Sequence, residues 1–124
     1  MTLHDNKPSL ISRADRARAA ADWAEAARLY RAALDRNPSN PSIWVQYGHA
    51  LKEAGDLRQS EAAYRTALLH DPASADGYLQ LGHALKLQGR GGEAGAAYFR
   101  AFAIERFLPN SSPFRPYTAS TTCC

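Results

Sequence analysis

Cysteine is nearly absent from this chain: only Cys123 and Cys124 occur, side by side at the end of 124 residues. Adjacent cysteines cannot tie distant segments together, so no disulfide framework holds the fold. Long apolar runs are missing too, and nothing approaches the roughly 20 apolar residues needed to span a bilayer. The opening "MTLHDNKPSL" has no apolar core or cleavage pattern of a secretory signal, so a cytoplasmic location is the expectation. Val, Ile and Thr are sparse, which disfavours strands, whereas alanine crowds stretches such as "RADRARAAADWAEAAR" (13–28) and favours helix. A strong excess of one charge is also lacking. Fifteen Lys+Arg against 12 Asp+Glu leave +3, a mild basicity that suits an acidic partner segment and argues little for nucleic acid.

What the chain does have is a repeat. "GHALK" occurs at 48–52 and again at 82–86, 34 residues later. At that shift Gln46, Gly55, Ala62, Ala63, Tyr64 and Ala67 match Gln80, Gly89, Ala96, Ala97, Tyr98 and Ala101, and Trp44 meets Tyr78. A more divergent first copy aligns Asp22, Tyr30, Arg31, Ala33, Leu34 and Pro38 with Asp56, Tyr64, Arg65, Ala67, Leu68 and Pro72. The chain divides into an extension (1–6), repeats at 7–40, 41–74 and 75–108, and a Pro/Ser/Thr-rich tail (109–124).

Each repeat reads as helix, tight turn, helix. Trp44, Tyr47, Gly48 and Leu51 recur at the i, i+3, i+4, i+7 spacing of one helical face. Gly55 breaks that helix as a left-handed cap residue does, and Asp71-Pro72 ends the next, since a residue before proline is pushed from helical geometry. Six helices are predicted, at about 8–20, 22–36, 41–54, 57–70, 75–88 and 91–106.

"W-x2-Y-G-x2-L" (44–51), followed by Ser60, Tyr64, Ala67 and Pro72, resembles the tetratricopeptide repeat signature in order, spacing and period. "Y-x2-L-G-x2-L" (78–85) with Ala94, Tyr98 and Ala101 resembles it equally. The first copy departs, with Leu10, Arg13, Ala14 and Ala17 at the positions of the family's aromatic, leucine, glycine and tyrosine. The third has Arg106 where the family has proline. The resemblance implies an all-α fold, a right-handed α-α superhelix (solenoid) of three helix-turn-helix repeats. Its packing code places Gly48 and Gly82 at close helix contacts, with Ala63, Ala67, Ala97 and Ala101 opposite. Trp44, Tyr64, Tyr78 and Tyr98 fill the remaining space.

At about 100° per residue, Val45, His49 and Lys52 form a second stripe beside that packing face. Leu79, His83 and Lys86 repeat it, and Ile11, Asp15 and Arg18 stand at the same places in the first copy, with Gln46 and Gln80 flanking. In the resembled family the first helix of each repeat lines a concave groove, and this stripe faces it. The implied function is a non-catalytic protein-protein interaction module, an adaptor or scaffold. It would take a partner peptide in the groove with a mild preference for acidic segments. The plain alternative is solvated polar surface. Some three-repeat members clamp two carboxylates with lysines, asparagines and an arginine. Ile11, Asp15 and Gln46 replace three of those groups here, so that ligand is not expected.

Other chemistries fit less well. His49 and His83 occupy equivalent places on successive first helices instead of i, i+4 on one helix, and lysines surround them, a poor zinc site. No Ser/His/Asp or Cys/His constellation stands out, so no catalytic residue, metal or cofactor is assigned. "GRGG" (89–92) lacks the Lys-Ser/Thr and preceding strand of a phosphate loop and lies where the repeat turn belongs. The aromatics sit at core positions, not on a stacking platform, which disfavours nucleic acid.

A solenoid's last repeat exposes an apolar face unless something caps it. After the sixth helix comes "FLPNSSPFRPYTASTTCC", which opposes a capping helix. Phe99, Phe102, Phe107 and Leu108 are therefore candidates for a self-association face, covered by a second copy, by the tail through Phe114 and Tyr117, or by the rest of a longer chain. Two further functions remain open, the first suggested by the missing cap and the second because three-repeat members of the resembled family include secretion chaperones. One is the repeat domain of a larger enzyme such as a glycosyltransferase; the other is a secretion chaperone of this repeat type.

Overall fold

A computed structural model describes residues 8–107; the extension with Lys7, Leu108 and the tail lie outside the described residues. Six helices follow one another: α1 (Leu10–Ala19), α2 (Trp23–Arg36), α3 (Pro41–Glu53), α4 (Leu57–His70), α5 (Ala75–Leu87) and α6 (Gly91–Phe107). Among the described residues there is no strand. Within a repeat the two helices pack as a pair, and each second helix then packs on the first helix of the next repeat. The result is a stack of helical hairpins, an all-α solenoid.

The helix starts are capped by side chains that take up otherwise unpaired backbone N–H groups. Ser9 accepts from the Ser12 N–H at 3.0 Å, which is why α1 begins at Leu10 and not two residues earlier. Asp22 and Asp56 do the same for α2 and α4, accepting from Glu25 and Gln59. Asn40 and Ser74 cap α3 and α5. The sixth helix differs. Arg90 stands where Asp22 and Asp56 would align, and a guanidinium cannot accept a hydrogen bond. It bonds instead to Glu61 of α4 at 2.6 Å and to Glu93 in the first turn of α6. The sequence "GRGG" is thus a repeat turn with an uncapped helix start. At the other end α6 runs 17 residues against 14 for α2 and α4, because no proline stops it at 106.

Helix pairs are held at the glycines. A Cβ built on Gly48 would lie 2.6 Å from Tyr64 Cε1, and one on Gly82 would lie 2.5 Å from Tyr98 Cε1. Each glycine leaves the space its own tyrosine ring occupies. Tyr30 and Tyr64 are completely buried, whereas Tyr98, Trp44 and Tyr78 are half-buried. Trp44 donates its indole N–H to the Pro38 carbonyl oxygen at 2.7 Å and so ties the first inter-repeat loop to α3.

The turns inside repeats use left-handed backbone. Gly55 has φ +95° and Gly89 φ +78°. The equivalent residue of the first repeat is Ala21, at φ 58°, where a Cβ is disfavoured by about 1–2 kcal/mol. Ala21→Gly relieves that strain but loosens the unfolded chain. A net stabilisation of about 0.5–1 kcal/mol is expected, read as a higher urea midpoint, while the exposed helical control Ala19→Gly should lose about 1 kcal/mol.

Candidate functional site

The first helices carry the stripe side by side. From α1 come Ile11, Asp15 and Arg18; from α3 Val45, Gln46, His49 and Lys52; from α5 Leu79, Gln80, His83 and Lys86. All are half-buried or exposed. The helices meet through these residues: Lys52 Nζ donates to Gln80 Oε1 at 3.4 Å, from α3 to α5. Gln80 in turn donates to Asp76 one turn earlier.

The tyrosines that cross the glycine positions reach this stripe from behind. Tyr30 donates its hydroxyl proton to Asp15 and accepts from Arg18 Nε at 3.1 Å. In the third repeat the Tyr98 hydroxyl lies 2.9 Å from Nδ1 of His83, a hydrogen bond from second helix to stripe. His49 behaves differently. Its ring meets the edge of Trp23, from the preceding repeat, with centroids 5.3 Å apart and planes at 86°. Periodicity within a repeat cannot reveal that contact, because it depends on how one hairpin is laid against the next. The hydrogen bonds to Asp15 and His83 were also beyond a stripe drawn on one helix.

The electrostatics favour cations and neutral imidazoles. Burial, together with Lys52, holds His49 below the ordinary histidine range. Burial, Lys52 and Lys86 do the same for His83. Both rings are therefore neutral near pH 7, and the fixed charges of the stripe are Arg18, Lys52 and Lys86 against Asp15, which is engaged by Tyr30 and lies 3.8 Å from Arg18. Lining of this kind can hold carboxylates by charge and peptide groups through Gln46 and Gln80. Among the described residues no three His, Cys, Asp or Glu side chains come together as a metal site. No helix among them is long and apolar enough to cross a membrane.

The end of the stack exposes what earlier repeats bury. Phe102 is 58% exposed, whereas its equivalents Leu34 and Leu68 are 2% and 9% exposed. Phe99 and Phe107 are exposed as well. A shallow apolar hollow of about 400 Å³ lies there, lined by Ala75, Leu79, Tyr98, Ala101 and Phe102 with Asp76 and Glu105 at its rim.

A family model described as tetratricopeptide repeat matches residues 17–76, from the end of α1 to the start of α5. Residues 17–76 of the chain are tetratricopeptide repeat sequence. Solved structures of such domains share its fold. The second repeat domain of Spaghetti (RPAP3), bound to the HSP90 peptide SRMEEVD, is 15% identical with a TM-score of 0.73, covering 77% of this chain and 88% of that one. The Sgt2 domain from Aspergillus fumigatus is 24% identical with a TM-score of 0.74, covering 79% and 65%. The Arabidopsis OM64 domain is 24% identical with a TM-score of 0.75, covering 79% and 81%. At such identities the likeness shows the fold alone. A search of curated proteins found no match.

The depressed histidines give this repeat protein a pH signature. Unfolded, both rings take up protons near the ordinary value of about 6.5, before the folded rings do. Their contribution is complete above that pH and is lost as pH falls through the folded values. Unfolding free energy measured by urea between about pH 6.5 and 5 should therefore fall with pH, and His49→Gln/His83→Gln should flatten that slope.

Proposed function

We propose that the chain is a non-catalytic interaction module that binds a partner segment along the stripe of its first helices. Acidic side chains are the preferred occupants. The observation that carries this reading is Lys52, poised between α3 and α5 on Gln80, with Arg18 and Lys86 to either side and both histidines held neutral. In the free protein the neutral imidazoles add hydrogen-bonding capacity without adding charge, so the standing charges that meet an incoming segment are three cations at one-repeat spacing. A structural relative binds an acidic peptide, SRMEEVD. Asp15, held by Tyr30, places a negative group where such a clamp would need a donor, so a different acidic segment is the expected partner.

The test is fluorescence anisotropy with peptides of fixed length and graded glutamate content. Wild type should bind the acid-rich peptides at least about tenfold more tightly than neutral ones, and the preference should weaken with salt. Lys52→Glu/Lys86→Glu should abolish the preference and leave the helix content unchanged. Equal binding of acidic and neutral peptides by wild type would sink the reading.

The exposed third repeat favours a second reading alongside the first. Phe102 stands at the place of the buried Leu34 and Leu68, so a further apolar surface completes the stack there: a second copy of this chain, as a dimeric secretion chaperone would use, the chain's own tail, or the remainder of a longer chain such as an enzyme. Leu108, part of the same expected face, lies outside the described residues. Sedimentation at increasing concentration should show self-association that Phe102→Glu weakens. A concentration-independent monomer would overturn the second copy as the occupant of this face.

A further inference from the structure

The same tyrosine occurs once per repeat, yet its hydroxyl is served in only two of them. Tyr30 has Asp15 and Arg18, and Tyr98 has His83. Tyr64 is fully buried, and its hydroxyl makes no hydrogen bond of good geometry among the described residues, although the Ser60 hydroxyl lies close to it. Ser60, on the same helix one turn earlier, gives its own proton to the Gly48 carbonyl oxygen at 2.8 Å. Unpaired hydroxyls at such depth are rare because the lost water is not replaced.

The group in register to serve Tyr64 is His49, the counterpart of Asp15 and His83. It is turned to Trp23 instead. The reason lies one repeat back. Trp23 has Leu57 as its equivalent 34 residues on, so His83 meets no indole edge from the preceding hairpin and takes the tyrosine. His49 has a competing aromatic neighbour and leaves its tyrosine unpaired.

We infer that His49 has two seats, one on Trp23 and one on Tyr64, and that a carboxylate of the bound segment selects the Tyr64 seat. This makes His49 the specificity-determining contact at the centre of the stripe, with Tyr64 as its positioning residue. The part played by the carboxylate rests on the acidic-segment reading above; the two seats do not.

The charges around the ring explain the selection. Arg18 on α1 and Lys52 on α3 act against an imidazolium, while Glu53 on α3 and Asp76 on α5 favour it; α2 meets the ring with the uncharged Trp23, and the residue of α4 in register with it is the uncharged Tyr64. Burial tips the balance to the neutral ring in the free protein. A carboxylate arriving between Arg18 and Lys52 offsets their repulsion and supplies a counter-charge. His49 then takes one proton from solvent. In the Tyr64 seat its Nδ1–H donates to the Tyr64 oxygen and its Nε2–H to the carboxylate, so both donors of the imidazolium are used. The third repeat already displays the seat with a neutral ring.

The seats are tested without any ligand by ¹⁵N histidine NMR. In wild type, His83 should show the shifts of a ring hydrogen-bonded at Nδ1 and His49 should not. Trp23→Leu, which recreates the surroundings of His83, should give His49 that signature, and Trp23→Leu/Tyr64→Phe should remove it. A His49 spectrum identical in Trp23→Leu and in the double variant overturns the two seats. Should Trp23→Leu fail to fold, Tyr64→Phe in an otherwise wild-type chain is read with hexaglutamate.

With hexaglutamate, wild type should shift His49 to the Tyr64 signature, raise its titration midpoint and take up a proton on binding. Tyr64→Phe should bind several-fold more weakly at pH 6 and lose the pH dependence of affinity. Binding by wild type with His49 unmoved overturns the selection. Absence of hexaglutamate binding overturns the acidic reading and the selection with it, while the two seats are still decided by the ligand-free spectra.

Discussion

The close approach of each helical hairpin depends on a tyrosine crossing a residue with little or no side chain. Tyr64 over Gly48 and Tyr98 over Gly82 leave no room for a Cβ, and in the first copy Tyr30 and Ala14, at the equivalent places, are both fully buried in one core cluster. That contact sets the depth to which the second helix sinks against the first. It also decides where the phenolic oxygen emerges, which is at the back of the stripe. Core packing and surface chemistry are therefore joined through one side chain per repeat. Oxygen at the end of the ring is a polar handle on an otherwise apolar body.

Most of the fold was legible because the 34-residue period carries its own punctuation. Gly55 and Gly89 announce left-handed turns, Pro38 and Pro72 announce helix ends, and the spaced alanines mark the faces that meet. The helix limits differ from the expected ones by at most a few residues, at caps such as Ser9 and Ala54. Ala21 was not legible: its left-handed conformation is imposed by the architecture on a residue whose propensity opposes it. The bond from Arg90 to Glu61 was hidden for a different reason, since it joins residues 29 apart in sequence, in successive repeats, where the aligned position predicts a cap.

The candidate site was legible as a stripe and not as a set of contacts. Helical periodicity puts His49 and His83 at the same angle, and nothing in either pentapeptide separates them. Their partners do. Trp23 lies on the preceding hairpin in one case, and Leu57 takes its place in the other. Identical bricks thus acquire different chemistry from the mortar between them. Information of that kind belongs to the stacking of repeats, which one-dimensional patterns describe only through their period.

The junctions between hairpins have one further consequence. Asn37–Asn40 and Asp71–Ser74 are each four residues long, and both are closed by short-range bonds: Trp44 to Pro38 in the first, the Ser74 amide to Asp71 in the second. Equal, fastened junctions give the array a constant pitch. On the proposed reading Arg18, Lys52 and Lys86 are then graduations on a ruler, by which a bound chain would be measured through the interval between its charges as well as their sign.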